Sequence, residues 1–386
     1  MNLFKHKKRV VIITDNFLPR RDGVVRFLLE ITPRLQKEFN ITIICPDNKE
    51  QVSLEDVKFV RIPLSKRKFA DFQFAKFRPS KMIKAIRNAD LVFTQTIGPV
   101  GATGLFIAKT LNKKTVSFIH SIEWELVHKS TDKKLIKKYS IPITKKISKF
   151  LYSKSDFLII PSERVSEILS YQRINTPKRI IHLGVDSKTF KPLEDPIVRA
   201  EERDKLGIEP DDIVIGYHGR MTREKDIYTI IRSYNYLKKI NKRYKLLLIG
   251  DGLPEIIEKL LQKEGVIHKP ATQRVEKYLP LMDIYVLSSL TETTSLSTLE
   301  AMSCGLPCIT TKVGYIRDYI TEGKNGLFFP KKNSYILSKK IIYLANNKTE
   351  RKRLGKEARK TIIEKFNWDN TAEEIESFFK TIIEEE

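Results

Sequence analysis

The stretch DIYVLSSLTETTSLSTLEAMSCGLP, residues 283–307, decides the fold. Its apolar run 284–287 reads as a buried strand that ends at Ser288. A loop rich in hydroxyl side chains then runs to Ser295, where a helix begins. Gly305, with Pro307 just beyond it, supplies a strong stop signal for that helix. A helix opening at the C-terminal end of a parallel strand offers unpaired backbone N–H groups to an anion. Glu292 lies in the loop ahead of the helix and Glu300 inside it, with seven residues between them. One carboxylate can accept hydrogen bonds from a sugar and the other from a ribose, with a diphosphate held between.

Outward from this segment the same alternation fills the chain. Strands are expected over 213–217 and 244–249, helical patterns over 227–240 and 254–263, a continuation of the rhythm over 275–281, and a further strand over 307–311. In the first half, strands are expected over 10–14, 41–45, 59–62, 91–94, 115–120 and 157–160, with helices over 24–37, 81–88 and 100–111. A last strand near 180–182 leads into Gly184-Val185-Asp186. The polar, proline-containing stretch 191–212 is the candidate linker, and the pattern restarts after it. Short β-branched runs alternating with helices predict parallel α/β architecture, with two doubly wound Rossmann-like domains, 1–190 and 213–366, facing across a cleft. Residues 367–386 read as one amphipathic helix, with Ile375, Phe378, Phe379 and Ile382 near helical spacing, packing back on the first domain.

Length and composition agree with this division. The chain has 386 residues, enough for two domains with their own cores, and is 41% apolar and 31% charged, a globular composition. No apolar run approaches the ~20 residues that span a bilayer. The basic start, Met1 to Arg9, leads into a strand-like run and not into a small-residue cleavage site, so a cytoplasmic protein is expected. Cys45, Cys304 and Cys308 lack metal-ligand clustering and read as buried thiols. Charge is uneven: residues 1–190 hold 37 Lys+Arg against 17 Asp+Glu, which leaves 34 against 30 for residues 191–386. Phosphates, anionic headgroups or nucleic acid could answer a basic surplus of this kind, but no nucleic-acid signature appears and aromatics are not interleaved with the basic residues.

Glu-x7-Glu followed by Ala301-Met302-Ser303-Cys304-Gly305-Leu306-Pro307 resembles the donor-site signature of family 4 retaining glycosyltransferases with the GT-B fold (glycosyl transferases group 1). Gly219-Arg220 with Glu224-Lys225 is similar to the family's diphosphate-binding arginine and lysine. In the same order along the chain, Leu18-Pro19 with Gly23-Val24 resembles the first N-terminal loop, Gly184-Val185-Asp186 with Phe190 and Pro192 the domain junction, Gly250-Asp251-Gly252 with Pro254 the loop after the next strand, and Asn325-Gly326-Leu327-Phe328 a late structural turn. The resemblance spans nearly the whole chain. It implies a hexosyltransferase whose first domain binds the acceptor and whose second binds the nucleotide sugar. It also implies that Glu300 binds the ribose hydroxyls, Glu292 the sugar hydroxyls, and Arg220 and Lys225 the diphosphate as it leaves. Gly23 would let backbone approach a phosphate or the acceptor, and His120 would contact the donor sugar. The catalytic candidates are thus Glu292, His120, Arg220 and Lys225, and the donor-binding candidates add Gly23, Gly219, Ser295, Leu296, Ser297 and Glu300. No metal and no cofactor beyond the nucleotide-sugar substrate are implied.

Two departures touch specificity. Glu292-Thr293-Thr294-Ser295 stands where many relatives have Glu-Gly-Phe-Gly, so hydroxyls replace glycines near the sugar. Val266-Ile267-His268-Lys269-Pro270 lacks the usual ending of the base-recognition strand, which leaves uracil and guanine both open, UDP being the commoner choice. Between Lys133 and Lys154 lie eight lysines and no acidic residue, interleaved with Leu135, Ile136, Tyr139, Ile147, Phe150 and Leu151, and Pro142 is expected to divide the stretch into two helical pieces. With the apolar residues inward and the lysines outward, this surface suits an anionic membrane and a lipid or glycan acceptor on the inner face of the plasma membrane. The competing readings are another GT-B enzyme, such as a nucleotide-sugar epimerase, and a catalytically silent carbohydrate- or lipid-binding partner subunit.

Overall fold

The structure is a computed structural model that describes residues 7–19, 22–48, 54–69, 72–129, 134–252, 254–272, 274–292 and 294–384. It divides into two compact units, residues Met1–His182 with Trp368–Glu386, and Leu183–Asn367.

The first unit is built on eight strands: β1 (Lys8–Ile13), β2 (Phe39–Asp47), β3 (Lys58–Phe69), β4 (Phe72–Ala75), β5 (Leu91–Thr94), β6 (Lys114–Phe118), β7 (Phe157–Ile160) and β8 (Lys178–Ile180). Between them lie α1 (Gly23–Leu35), α2 (Pro79–Arg87), α3 (Pro99–Thr110), α4 (Glu123–Lys129), α5 (Lys134–Tyr152) and α6 (Glu163–Tyr171). The order is β4-β3-β2-β1-β5-β6-β7-β8. All pairs are parallel except β3–β4, which is antiparallel. Val10, Val11, Ile12 and Ile13 are all buried, the continuous apolar run expected of a strand covered on both faces. Strand β6 stops at Phe118, so His120 lies just past its end.

Pro142 does not divide the basic stretch: α5 is one helix through it. The proline is exposed, so water can take the carbonyl hydrogen bond that its ring removes. The inward face of α5 holds Ser140, Ser148, Leu151 and Tyr152. Tyr139, Ile143, Ile147 and Phe150, four residues on one stripe, are about half exposed, so the expected inward placement of Tyr139, Ile147 and Phe150 is reversed. Lys133 lies outside the described residues, as do the side chains of Leu135 and Ile136.

The second unit carries β9 (Ile213–His218), β10 (Tyr244–Ile249), β11 (Val266–Lys269), β12 (Ile284–Leu287), β13 (Cys308–Thr311) and β14 (Gly326–Phe329), ordered β11-β10-β9-β12-β13-β14 and parallel throughout. Its helices are α7 (Pro196–Asp204), α8 (Ile227–Ile240), α9 (Pro254–Leu261), α10 (Leu296–Ser303), α11 (Ile316–Tyr319), α12 (Ser334–Asn346) and α13 (Lys348–Lys365). The segment 275–281 forms two short 3-10 turns. The stretch 191–212, read as a linker, instead holds α7 within this unit. Asp195 caps α7 by accepting from the Ile197 and Val198 N–H groups, and Pro196 opens it. Arg199 and Arg203 fasten it to Asp283 at 3.1 and 3.4 Å.

The last helix, α14 (Trp368–Glu384), belongs to the first unit. Its Phe379 ring meets Phe93 at 5.0 Å and Phe39 at 5.9 Å, and its Trp368 meets Phe27 at 6.1 Å. Truncating the fully buried Phe379 to alanine should cost about 3–5 kcal/mol. Chemical denaturation of wild type and Phe379→Ala checks this, and equal midpoints would show that α14 adds nothing to the first unit's core.

Candidate functional site

In a doubly wound sheet the crevice forms where successive crossovers leave in opposite directions. In the second unit that point is β9, flanked by β10 on one side and β12 on the other. Every strand of this sheet is parallel, so the loops after β9, β10, β12 and β13 share one edge.

Two glycines let the β9 and β10 loops touch. Gly219 has φ +132° and Gly250 φ +136°, and a Cβ on Gly250 would lie 2.2 Å from the Gly219 carbonyl oxygen. The Gly219 N–H donates to the Ile249 carbonyl at 2.9 Å and the Met221 N–H to the Asp251 carbonyl at 2.8 Å. The Tyr217 hydroxyl donates to the Arg220 carbonyl at 2.8 Å. The backbone of Arg220 is thereby fixed while its guanidinium is exposed and makes no hydrogen bond or ion pair with a described residue.

The turn after Gly219 is tied to the loop after β12. The Leu290 N–H donates to the Glu224 carbonyl at 2.8 Å, and the Ser288 hydroxyl lies 2.8 and 2.9 Å from the Lys225 and Asp226 carbonyls. These ties bring together two residues that are 67 positions apart: Lys225 Nζ donates to Glu292 Oε1 at 2.6 Å, and the Ser289 hydroxyl donates to the same oxygen at 2.6 Å. The Glu292 side chain is 7% exposed and Lys225 19%, so the pair is largely withdrawn from water. Thr293 lies outside the described residues.

Ser295 caps α10, its hydroxyl accepting from the Thr298 N–H at 3.3 Å and lying 3.0 Å from the Ser297 hydroxyl. Leu296 is the first residue of the helix. The cap is neutral, so the positive end of the helix dipole is not offset by a side-chain charge there. In the next turn the Glu300 side chain is 3% exposed, and its Oε2 lies 2.9 Å from Nε2 of His218, the last residue of β9. His218 was not among the sequence candidates; the signal was a histidine immediately before Gly219-Arg220.

Gly23 and His120 belong to the first unit. Gly23 opens α1, which Asp22 caps at 3.0 Å to the Val24 and Val25 N–H groups, and a Cβ on Gly23 would project into open space. His120 Nε2 lies 2.9 Å from the Gln95 side-chain oxygen, and the ring stacks on Phe118 at 4.3 Å. Burial pushes its pKa down to about 3, which keeps the ring neutral. Nearby, burial pushes Glu123 up to about 7, and the Tyr152 hydroxyl donates to it.

The switch point of the first sheet, at β1, carries a different occupant. Asp15 follows β1 and accepts from the Val100 N–H at 2.7 Å and the Gly101 N–H at 3.0 Å, filling the N-terminus of α3. Desolvation raises its pKa, and these bonds with that from Thr96 oppose the rise. A cavity of about 980 Å³ opens beside it, lined in part by Asn16, Asp47, Asn48, Lys66, Gln73 and Lys76. The three cysteines are free and buried, and burial pushes the Cys45 thiol up to about 12. Among the described residues no group of three or more His, Cys, Asp or Glu could hold a metal, and no helix is long and apolar enough to cross a membrane.

Two family models match the chain: glycosyl transferases group 1 over residues 198–361 and glycosyltransferase family 4 over residues 21–189. The alpha-monoglucosyldiacylglycerol synthase of Streptococcus pneumoniae is 26% identical, covering 83% of this chain and 75% of that protein. That of Acholeplasma laidlawii is 23% identical, covering 88% of each. Among solved structures, Anabaena HepE in complex with UDP aligns with a TM-score of 0.80 at 16% identity, covering 97% of this chain and 100% of that one.

The neutral state of His120 gives stability a pH dependence. Unfolded histidine takes up a proton below about pH 6.5, whereas the folded ring stays neutral until about pH 3. The stabilisation is therefore complete above pH 6.5 and falls as pH drops toward 3, by at most about 1.4 kcal/mol per pH unit. Denaturant midpoints measured at pH 7 and pH 5 should converge between wild type and His120→Gln at the lower pH. A difference that does not change with pH would show that His120 titrates normally in the fold.

Proposed function

This chain belongs to glycosyltransferase family 4 and has the GT-B fold, and from that premise we propose that it is a retaining hexosyltransferase acting from a nucleotide-diphosphate sugar, UDP-sugar favoured, on a membrane-lipid acceptor. The observation that carries this reading is the neutral-capped N-terminus of α10 at the switch point of the second sheet, with the Lys225–Glu292 pair ahead of it and Glu300 within it. An anion at that helix end gains from the dipole and from the exposed Arg220 guanidinium. As the bond to the leaving diphosphate breaks, negative charge grows on its oxygens, and cations already in place stabilise it without reorganisation. Glu292 accepts from the sugar hydroxyls and Glu300 from the ribose diol. Lys225 holds Glu292 in one orientation before the sugar arrives, and its charge favours the phosphates of the donor. His120, neutral, offers a sugar a hydrogen bond and not a charge.

The lipid acceptor is supported by the names of the two alpha-monoglucosyldiacylglycerol synthases and by the outer face of α5. There Tyr139, Ile143, Ile147 and Phe150 form an exposed apolar stripe among Lys138, Lys145, Lys146, Lys149 and Lys154. Such a face lies in the headgroup plane with its apolar stripe toward the acyl chains, each lysine adding about 1 kcal/mol on an anionic surface. The cavity in the first unit, with Lys66, Lys76 and three side-chain amides in its wall, is the candidate pocket for a polar headgroup.

Glu300→Ala should remove detectable nucleotide-sugar binding in calorimetry, after a thermal-shift screen of UDP-, GDP- and ADP-sugars has picked the donor; unchanged affinity would place the donor elsewhere. In flotation with anionic liposomes, wild type should rise with the vesicles at low salt and detach at high salt. Recovery of the whole protein in the soluble fraction at low salt removes the membrane acceptor from the reading.

A further inference from the structure

The turn that ends α10 is crossed by α13 at close range. Gly305 has φ +73°, and a Cβ on Gly355 of α13 would lie 2.1 Å from the Gly305 carbonyl oxygen. Beside this crossing opens a cavity of about 480 Å³, a volume in the range of small-molecule sites. Lys356, Arg359, Lys360 and Ile363 of α13 line it, with Pro192 and Gly305 from the chain around the turn. Three cations stand in this wall against one carboxylate, Glu364, a surplus of two positive charges. Capping of α10 accounts for only part of that charge. The last four carbonyls of α10 each have a donor: Glu300 from the Cys304 N–H at 3.0 Å, Ala301 from Leu306 at 3.1 Å, Met302 from Gly305 at 2.9 Å, and Ser303 from Arg359 Nη1. Arg359 Nη1 also reaches the Phe190 carbonyl at 3.3 Å, so the guanidinium is anchored at one corner. Its Nε and Nη2 groups bond no described residue, and that edge is the planar fork that takes two oxygens of a phosphate. Lys356 has no ion pair with a described residue, and Lys360 reaches Glu364 only at 3.9 Å, with both of those side chains more than half exposed.

We propose that this cavity binds a phosphate-bearing small molecule, with the phosphate on the free edge of Arg359 and on Lys356 and Lys360, and the organic part against Pro192 and Ile363. A phosphate monoester carries about 1.5 to 2 negative charges at neutral pH, which matches the surplus in the wall. The site lies at the opposite end of α10 from the Ser295 cap. Eight helical residues, ~12 Å of axis, separate it from the candidate donor site, so its ligand is a second one and does not depend on the reading of the first.

Methyl NMR of the full chain, labelled at the isoleucine δ1 position, reads the site locally, because Ile363 is 48% exposed and stands in its wall. The Ile363 signal is identified by its loss in Ile363→Val. Inorganic phosphate and glycerol 3-phosphate should each move that signal saturably, and sodium chloride at the same ionic strength should not. The double variant Lys356→Gln/Lys360→Gln changes two exposed side chains and keeps the Arg359 cap. It should raise the half-saturating phosphate concentration about tenfold. An Ile363 signal unmoved by either phosphate, a shift that chloride reproduces, or equal half-saturation in wild type and the double variant would each overturn the proposal. So would a response to phosphatidylglycerol vesicles with none to the soluble phosphates, which would assign this face to a lipid surface. No nucleotide enters the experiment, so its result stands apart from that of the donor-binding test.

Discussion

The parallel pairing of β9 with β10 on one side and β12 on the other is the constraint on which the second unit's chemistry depends. It forces the loops after three strands to leave from one edge, and those loops hold Arg220, Lys225, Glu292 and the start of α10. Backbone contacts then set the distances. Gly250 can approach the Gly219 carbonyl only because it has no Cβ, and Ser288 reaches the Lys225 and Asp226 carbonyls from the end of β12. The ion pair between Lys225 and Glu292 is a result of that scaffold and not its cause. A largely buried pair of this kind contributes little net stability; it holds the two side chains in one geometry.

What could be read in advance follows from how local each signal is. The strand at 284–287, the serine-rich loop and the helix stopped by Gly305 and Pro307 are each written in consecutive residues, and all three stand in the structure. The approach of Lys225 to Glu292 is not local, and only the resemblance of their two motifs placed both in one site. His218 beside Glu300 and Asp15 at the start of α3 had no motif to announce them, because both contacts arise from strand order. The polar stretch 191–212 concealed α7 for a different reason. Its docking uses Arg199 and Arg203 on Asp283 in place of an apolar stripe, so its composition resembles that of a tether.

Helix α5 shows how an amphipathic pattern can be read in the wrong direction. Ser140 and Ser148 lie one step beyond Tyr139 and Ile147, so two neighbouring stripes compete for the inward face. The serines are buried with Leu151 and Tyr152, Ser140 lying 3.2 Å from His128 of α4, and the larger apolar side chains are left outside.

Asp15 has a consequence for the division of labour between two similar folds. Both units present a helix N-terminus at the switch point of a parallel sheet, yet in the first the side chain of Asp15, two residues past β1, already accepts from the N–H groups there. A tethered carboxylate competes with any free anion at a high effective concentration. The helix end in the first unit is thus filled by the chain's own side chain. Two sheets of similar architecture thus differ at their switch points by a single acidic side chain, which takes up the N–H groups of α3 that a free anion would need.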